Sequence, residues 1–198
     1  MIDHLEQYVR TVARHLHGLD VDFAVVGGIA VSLRTTERFT KDVDFAISVD
    51  SDADAEVIVD SLRKADFRIA MFLEREDDGK LMTVRLNSGG DVEVFVDLLF
   101  ATSGIEKEIV DSSTPFEVFP GLVTKLATIS SLIAMKVLSA NWESRPQDIL
   151  DLQYLIRDAT DDEIAQARSL TNLITARGYN RNKDLQAELD KYLAQFRS

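Results

Sequence analysis

The sequence predicts an α/β (α+β) fold: a mixed sheet flanked by helices, with a C-terminal helical portion. Three observations lead there. Short apolar runs of period two alternate with helical patterns through the first 120 residues, Gly27-Gly28 punctuates one strand-to-helix junction, and four helical patterns with few strand signals fill the rest. A soft division is placed near residue 120, giving a core of residues 1–120 and a helical region of residues 121–198 packed on it.

Taken in order, Ile2, Leu5, Val9, Val12 and Leu16 fall at near-helical spacing with charges between them, which predicts an amphipathic helix over residues 2–18. The apolar run 22–26 predicts a strand stopped by Gly27-Gly28, and residues 29–34 resume as a short helix. In residues 42–48, Val43, Phe45 and Ile47 alternate with Asp42, Asp44, Ala46 and Ser48, so a strand there projects both aspartates from one face. Val57, Ile58 and Leu62 mark a helix over 52–65. Strands are predicted over 67–73, 81–87 and 92–100, with turns at 74–80 and 88–91. Helical patterns then cover 125–140, 147–157, 161–176 and 183–196. No internal repeat, low-complexity tract or long linker interrupts them, which favours one shared core.

The composition of the 198-residue chain narrows the chemistry. It has no cysteine, so disulfides, thiolate nucleophiles and cysteine zinc sites are excluded, in keeping with a reducing cytoplasm. The first ten residues are charged throughout, with no apolar h-region, so no signal peptide is expected. No run approaches the ~20 apolar residues of a membrane span. With 34 acidic against 22 basic residues the net charge is −12, which disfavours diffuse binding to nucleic acid but leaves room for a local patch such as Arg145, Arg177, Arg181 and Lys183. His15 and His17, two apart on a helix, point in different directions and make a poor metal pair.

Three carboxylates carry the strongest functional signal. A divalent cation needs several hard oxygens held on a rigid surface, and Asp42, Asp44 and Asp97, an acid in an otherwise apolar strand half, can supply them if their strands are neighbours. Glycines at the junction before the next helix let backbone N–H groups approach phosphate oxygens, aided by the helix dipole. Decoys exist: Asp20-Val21-Asp22-Phe23 repeats the string Asp42-Val43-Asp44-Phe45, and Asp50, Asp52 and Asp54 alternate as well. Only Asp42 and Asp44 lie on a strand of their own after a strand, a Gly-Gly pair and a helix and before a later acid-bearing strand.

Val26-Gly27-Gly28-Ile29-Ala30 with Arg38-Phe39-Thr40-Lys41-Asp42-Val43-Asp44-Phe45 resembles the nucleotidyltransferase superfamily, and within it the AbiEii-type, type IV toxin–antitoxin branch. Lys136-Val137-Leu138-Ser139-Ala140, followed by Arg145 and Asp148-Ile149-Leu150-Asp151-Leu152, is similar to that branch's helical signature. The resemblance implies a DNA polymerase β-like sheet and transfer of a nucleoside monophosphate from an NTP, ATP included, to an acceptor hydroxyl with Mg²⁺ (or Mn²⁺). It implies that Asp42 and Asp44 hold the metals and that Asp97 holds one and acts as general base. Gly27 and Gly28 would cradle the triphosphate, and Arg38, Lys41 and above all Lys136 would neutralise its β- and γ-phosphates. Acceptors in such branches are RNA, including the tRNA 3′ end, a protein, or a small molecule such as an antibiotic. An antitoxin partner and a toxin role follow from the same resemblance, with no membrane involved. Arg145, Asp148 and Asp151 receive no assigned role.

Plainer readings stand beside these. Asp42 and Asp44 suit the solvent face of an edge strand, and Asp97 suits a structural ion pair with Arg85. Gly27-Gly28 suits a plain left-handed turn, Lys136 suits a helix flank, and Asp148 with Asp151 suits a helix N-terminus behind Pro146. Trp142 fits either an acceptor cleft or the core between two helices. A non-catalytic, partner-binding module of the same fold, or a small-molecule nucleotidyltransferase, is the alternative function.

Overall fold

The computed structural model describes residues 2–36, 40–76, 79–87 and 94–197. Its elements run α1 (Ile2–Gly18), β1 (Phe23–Val26), α2 (Gly27–Arg34), β2 (Asp42–Ile47), α3 (Asp52–Arg63), β3 (Arg68–Glu74), β4 (Leu81–Asn87), β5 (Phe95–Leu99), α4 (Glu106–Ser112), β6 (Thr114–Phe119), β7 (Leu122–Leu126), α5 (Ile129–Ser139), α6 (Pro146–Asp158), α7 (Asp161–Ala176) and α8 (Leu185–Phe196). The strands form one mixed sheet in the order β3-β4-β5-β2-β1-β7-β6. The β2–β5 and β1–β7 pairs are parallel and the remaining pairs antiparallel. This is the α/β mixed sheet that the alternation of periods predicts.

Alternation along the strands sorts the two faces. In β2, Val43, Phe45 and Ile47 are buried, whereas Asp42 and Asp44 on the opposite face stay part-exposed. α1 contributes Val9, Val12, Ala13 and Leu16, one stripe at helical spacing, and packs on β2 and α3. α5 is apolar nearly all round, with Leu132, Ile133, Ala134, Val137 and Leu138 buried among α2, α6, α7 and α8. Each such Leu or Ile contributes about 1.5–3 kcal/mol by leaving water.

The second half departs from the sequence reading. Residues 106–124, read as no particular element, form α4 and, with Lys125 and Leu126, the β6/β7 hairpin, and β7 joins the sheet beside β1 through Val25 and Leu126. The helix expected from residue 125 begins at Ile129, where Thr128 caps it by accepting a bond from Ser131 N–H, because Lys125 and Leu126 are committed to β7. Residue 120 lies in the turn between β6 and β7, whose Gly121 has φ +74°, so sheet strands lie on both sides of the division placed there. Arg34 fastens the junction, donating to the carbonyls of Leu126 and Ala127 and to Thr114 Oγ1. The remaining expected helices and strands form within a few residues of their predicted ends; the turn over 88–91 and the start of the 92–100 strand fall outside the described residues.

The acidic decoys have local explanations. Asp20 turns the chain after α1 at φ +56°, Asp22 pairs with Lys125 at 2.7 Å, and Asp52 and Asp54 occupy the first turn of α3, where acids favour the helix dipole. Among the described residues no helix is long and apolar enough to cross a membrane.

Candidate active site

Parallel pairing of β2 with β5 places Asp44 directly opposite Asp97, and antiparallel pairing of β1 with β2 places Asp44 opposite Val26. The strand that ends at Val26 therefore delivers Gly27 to the Asp44 carboxylate. Gly27 has φ +62°, and a Cβ there would overlap Asp44 Oδ2, so both the backbone conformation and the close approach demand glycine. Val26 cannot cap α2 through its side chain and no acid occupies the first turn, which leaves the helix N-terminus without a side-chain anion of its own.

Burial pushes the Asp44 carboxyl up to about 6, reinforced by the charges of Asp97 and Asp42 and opposed by those of Lys136 and Arg85. Asp42 is raised as well, by burial, with Arg85 working against it. Carboxylates perturbed in this way within a cleft mark a candidate functional site.

Arg85, opposite Asp97 on β4, binds that carboxylate through both of its oxygens, with Nε–Oδ1 at 2.7 Å and Nη2–Oδ2 at 2.6 Å. Its Nη2 also lies 3.7 Å from Asp42 Oδ2, and the guanidinium stands over the Phe95 ring at 5.2 Å. The hydrogen bonds and charge of Asp97 raise the Arg85 pKa, so the cation is permanent.

The facing wall comes from α5 and the start of α6. Lys136 lies between Asp148 at 2.6 Å and Asp151 at 2.7 Å; both acids are buried, Asp151 completely, and Lys136 is largely covered. Burial would raise Asp148, but the charge and hydrogen bond of Lys136, with Arg145 at 3.2 Å, outweigh it and hold the carboxyl below its usual range. Across the mouth, Arg181 donates to the Thr102 carbonyl from a left-handed backbone, φ +54°.

These groups line one cleft of about 730 Å³, which brings together Gly27, Gly28, Lys41, Asp42, Asp44, Asp97, Lys136, Arg145 and Asp148. Asp151 reaches the site through Lys136. Arg38 lies outside the described residues. Sequence reasoning treated Arg85 only as a partner for Asp97, gave Thr40 no role beyond its place in the motif string, and passed over Met71 and Leu73; all four line the cleft. Of the basic patch, Arg145 and Arg181 face the cleft. Arg177 is committed to Glu108 and the Gly104 carbonyl, and Lys183 to the Leu138 and Ala140 carbonyls. Trp142 is exposed. His15 bonds the Thr11 carbonyl and His17 packs edge-on against Phe23, so the two do not act together.

The donor chemistry suits a hard divalent cation: Asp42 and Asp44 offer carboxylate oxygens from one strand face, and Mg²⁺ characteristically takes one or two carboxylates and completes its shell with water and phosphate oxygens. Among the described residues no three His, Asp or Glu side chains are grouped to hold a metal.

A protein-family model described as "Nucleotidyl transferase AbiEii toxin, Type IV TA system" matches residues 11–197. Among solved structures, the chain is similar to an antigenic nucleotidyltransferase-like protein from Paracoccidioides brasiliensis, with TM-score 0.53 and 23% identity over 95% of this chain and 93% of that one. It is also similar to the antibiotic-resistance factor ANT(2″)-Ia, with TM-score 0.53 and 16% identity over 100% and 93%. A putative nucleotidyltransferase from H. pylori gives TM-score 0.51 and 14% identity over 97% and 91%. No curated protein matches the chain.

Proposed function

The chain belongs to the AbiEii nucleotidyltransferase family, and on that premise we propose that it moves a nucleoside monophosphate from an NTP to an acceptor hydroxyl, with Mg²⁺ or Mn²⁺ and loss of pyrophosphate. The observation that carries this reading is the contact of Gly27 with Asp44, which sets a helix N-terminus that has no side-chain cap and no first-turn acid directly against a carboxylate suited to a divalent cation.

In this reading Asp42 and Asp44 hold the cation, which would draw charge from the phosphate oxygens as the bond to α-phosphorus changes hands. Gly27 and Gly28 receive the triphosphate, and Lys41 and Arg85 face its negative charge across the cleft. The acceptor oxygen bonds to the α-phosphorus, the bridging bond to the β-phosphate breaks, and the acceptor proton leaves to a base. Lys136, bound by Asp148 and Asp151, serves the site as a fixed positive charge in the wall. Residues 1–120 carry the chemistry and residues 121–198 supply the facing wall.

Arg145 and Arg181, two like charges at the cleft in a chain of net charge −12, favour an acceptor that carries phosphate, RNA or tRNA before a protein or a neutral small molecule. The family supports a toxin role with an antitoxin partner, a role this reading places in the cytoplasm. The test is transfer of label from each α-labelled NTP, with Mg²⁺ or Mn²⁺, into the RNA, protein and small-molecule fractions of a cell extract, wild type against the Asp42→Ala/Asp44→Ala variant. Transfer by wild type alone supports the reading. No transfer, with no stabilisation by Mg²⁺-NTP, leaves a non-catalytic binding module.

A further inference from the structure

We propose that the Arg85 guanidinium is the resident cation of the carboxylate site: it fills the place of a second divalent ion, so the free protein takes one ion at Asp42 and Asp44. Asp97 is released only when a bound triphosphate draws Arg85 away. The inference rests on the nucleotidyl-transfer reading and names how that same site is regulated.

Geometry comes first. Both Asp97 oxygens accept hydrogen bonds from Arg85, and the same Nη2 lies 3.7 Å from Asp42, so one guanidinium bridges two of the three carboxylates expected to hold metal. With both oxygens engaged, a metal or an acceptor proton at Asp97 has to share an oxygen with the guanidinium and meet its positive charge. The arrangement is built in: cross-strand register fixes Arg85 opposite Asp97, and the guanidinium carbon lies over the Phe95 ring, 5.2 Å from its centroid.

Charge points the same way. Asp42, Asp44 and Asp97 together carry three negative charges when ionised, and Arg85 reduces this to two, which a single divalent cation neutralises. Without Arg85 the same group has a charge left over for a second ion.

Exposure makes the bridge reversible. The Arg85 side chain is 33% exposed and lines the cleft, whereas Asp97 is 11% exposed. Phosphate oxygens offer a guanidinium the same two-pronged hydrogen bonding as a carboxylate, so a triphosphate in the cleft competes directly for Arg85. A bridge serving the fold alone has no need to face the cleft.

The test is Mn²⁺ binding to the full chain without nucleotide, read by electron paramagnetic resonance of free Mn²⁺ and by calorimetry, for wild type, Arg85→Gln and Arg85→Gln/Asp97→Asn. The expected result is one ion in wild type, two in Arg85→Gln and one again in the double variant. Stoichiometry in Arg85→Gln no higher than in wild type overturns the inference while leaving nucleotidyl transfer standing. Absence of Mn²⁺ from every variant, with or without NTP, overturns both.

Because Arg85→Gln leaves Asp97 unpaired and less stable, wild type supplies a second readout, the Arg85 Nε–H NMR cross-peak. A peak that persists under saturating Mg²⁺ and shifts on adding a non-hydrolysable NTP supports the inference. A peak displaced by Mg²⁺ alone, or unmoved by both, overturns it.

Discussion

Gly27 lies so close to Asp44 that a single methyl group on its Cα would overlap the carboxylate. Two constraints therefore fall on one position, the positive φ and the contact. Gly27→Ala is expected to cost about 1–3 kcal/mol of stability, from left-handed strain together with displacement of Asp44. Displacing that carboxylate also removes Mg²⁺-NTP stabilisation. Thermal melts with and without Mg²⁺-NTP read both effects. A variant that keeps the wild-type melting temperature and ligand shift would show that Asp44 moves aside freely.

The Asp44 carboxyl sits at about 6 in the folded protein against 3.8 unfolded. Between those values the folded state binds more protons than the unfolded one, so this group's contribution to stability falls as pH rises from about 4 to 6 and is level above. Asp44→Asn removes that fall. The metal-free variant is expected to be more stable than wild type at pH 7, by on the order of 1–2 kcal/mol after allowing for part exposure, with the gain vanishing near pH 4. Denaturant melts at pH 4, 5, 6 and 7 check it. Divalent-ion affinity of wild type is expected to weaken below pH 6 as Asp44 takes up its proton, and calorimetry over the same range reads that.

Period two in residues 42–48 and the Gly-Gly break were enough to set Asp42, Asp44 and the helix N-terminus together in advance. That Asp97 stands opposite Asp44 depends on parallel pairing of strands far apart in the chain, and alternation alone carries no register between them. For the same reason Arg85 was legible as a partner of Asp97 but not as a bridge to Asp42. The β6/β7 hairpin escaped notice because β7 is five residues long and runs into a helical pattern, although Pro120-Gly121 between two apolar runs was a usable turn signal. Asp148 and Asp151 were read together as acids of a helix N-terminus and Lys136 as a phosphate contact or a helix flank, with no ion pair between them. Their union in one ion cluster follows from α5 packing on α6, a tertiary contact that no local pattern encodes.

That cluster makes a prediction about how Lys136 variants fail. Lys136→Met leaves the buried acids Asp148 and Asp151 without the cation they share, Asp148 keeping only the more exposed Arg145, which is expected to cost about 3–5 kcal/mol. Lost activity in this variant thus includes lost folded protein. Lys136→Met/Asp148→Asn/Asp151→Asn, which removes all three charges, is expected to recover most of that stability without recovering transfer. Stability is read by urea denaturation and transfer by the label assay on folded protein. A single variant as stable as wild type would place the lysine's role outside the fold. The part of the stability owed to Asp148, whose carboxyl is depressed, is present at neutral pH and lost in acid.

Arg181 and Asn182 adopt consecutive left-handed conformations, φ +54° and +58°, in the loop between α7 and α8. Neighbouring contacts hold that loop: Lys183 donates to the last carbonyls of α5, and Tyr179 packs on Gly104 under the guanidinium of Arg75, 4.6 Å from its ring. Among the described residues Arg181 gives the fold one long bond, to Thr102 O at 3.3 Å, while its side chain lines the cleft with Arg145. Arg181→Gly is therefore expected to leave stability within about 1 kcal/mol of wild type, because relief of the left-handed strain offsets the added freedom of the unfolded chain. The charge is lost all the same. If the acceptor carries phosphate, its KM is expected to rise several-fold, less so at high salt, with kcat and the NTP KM held. An acceptor KM that does not respond would remove Arg181 from the acceptor path and leave that task to Arg145.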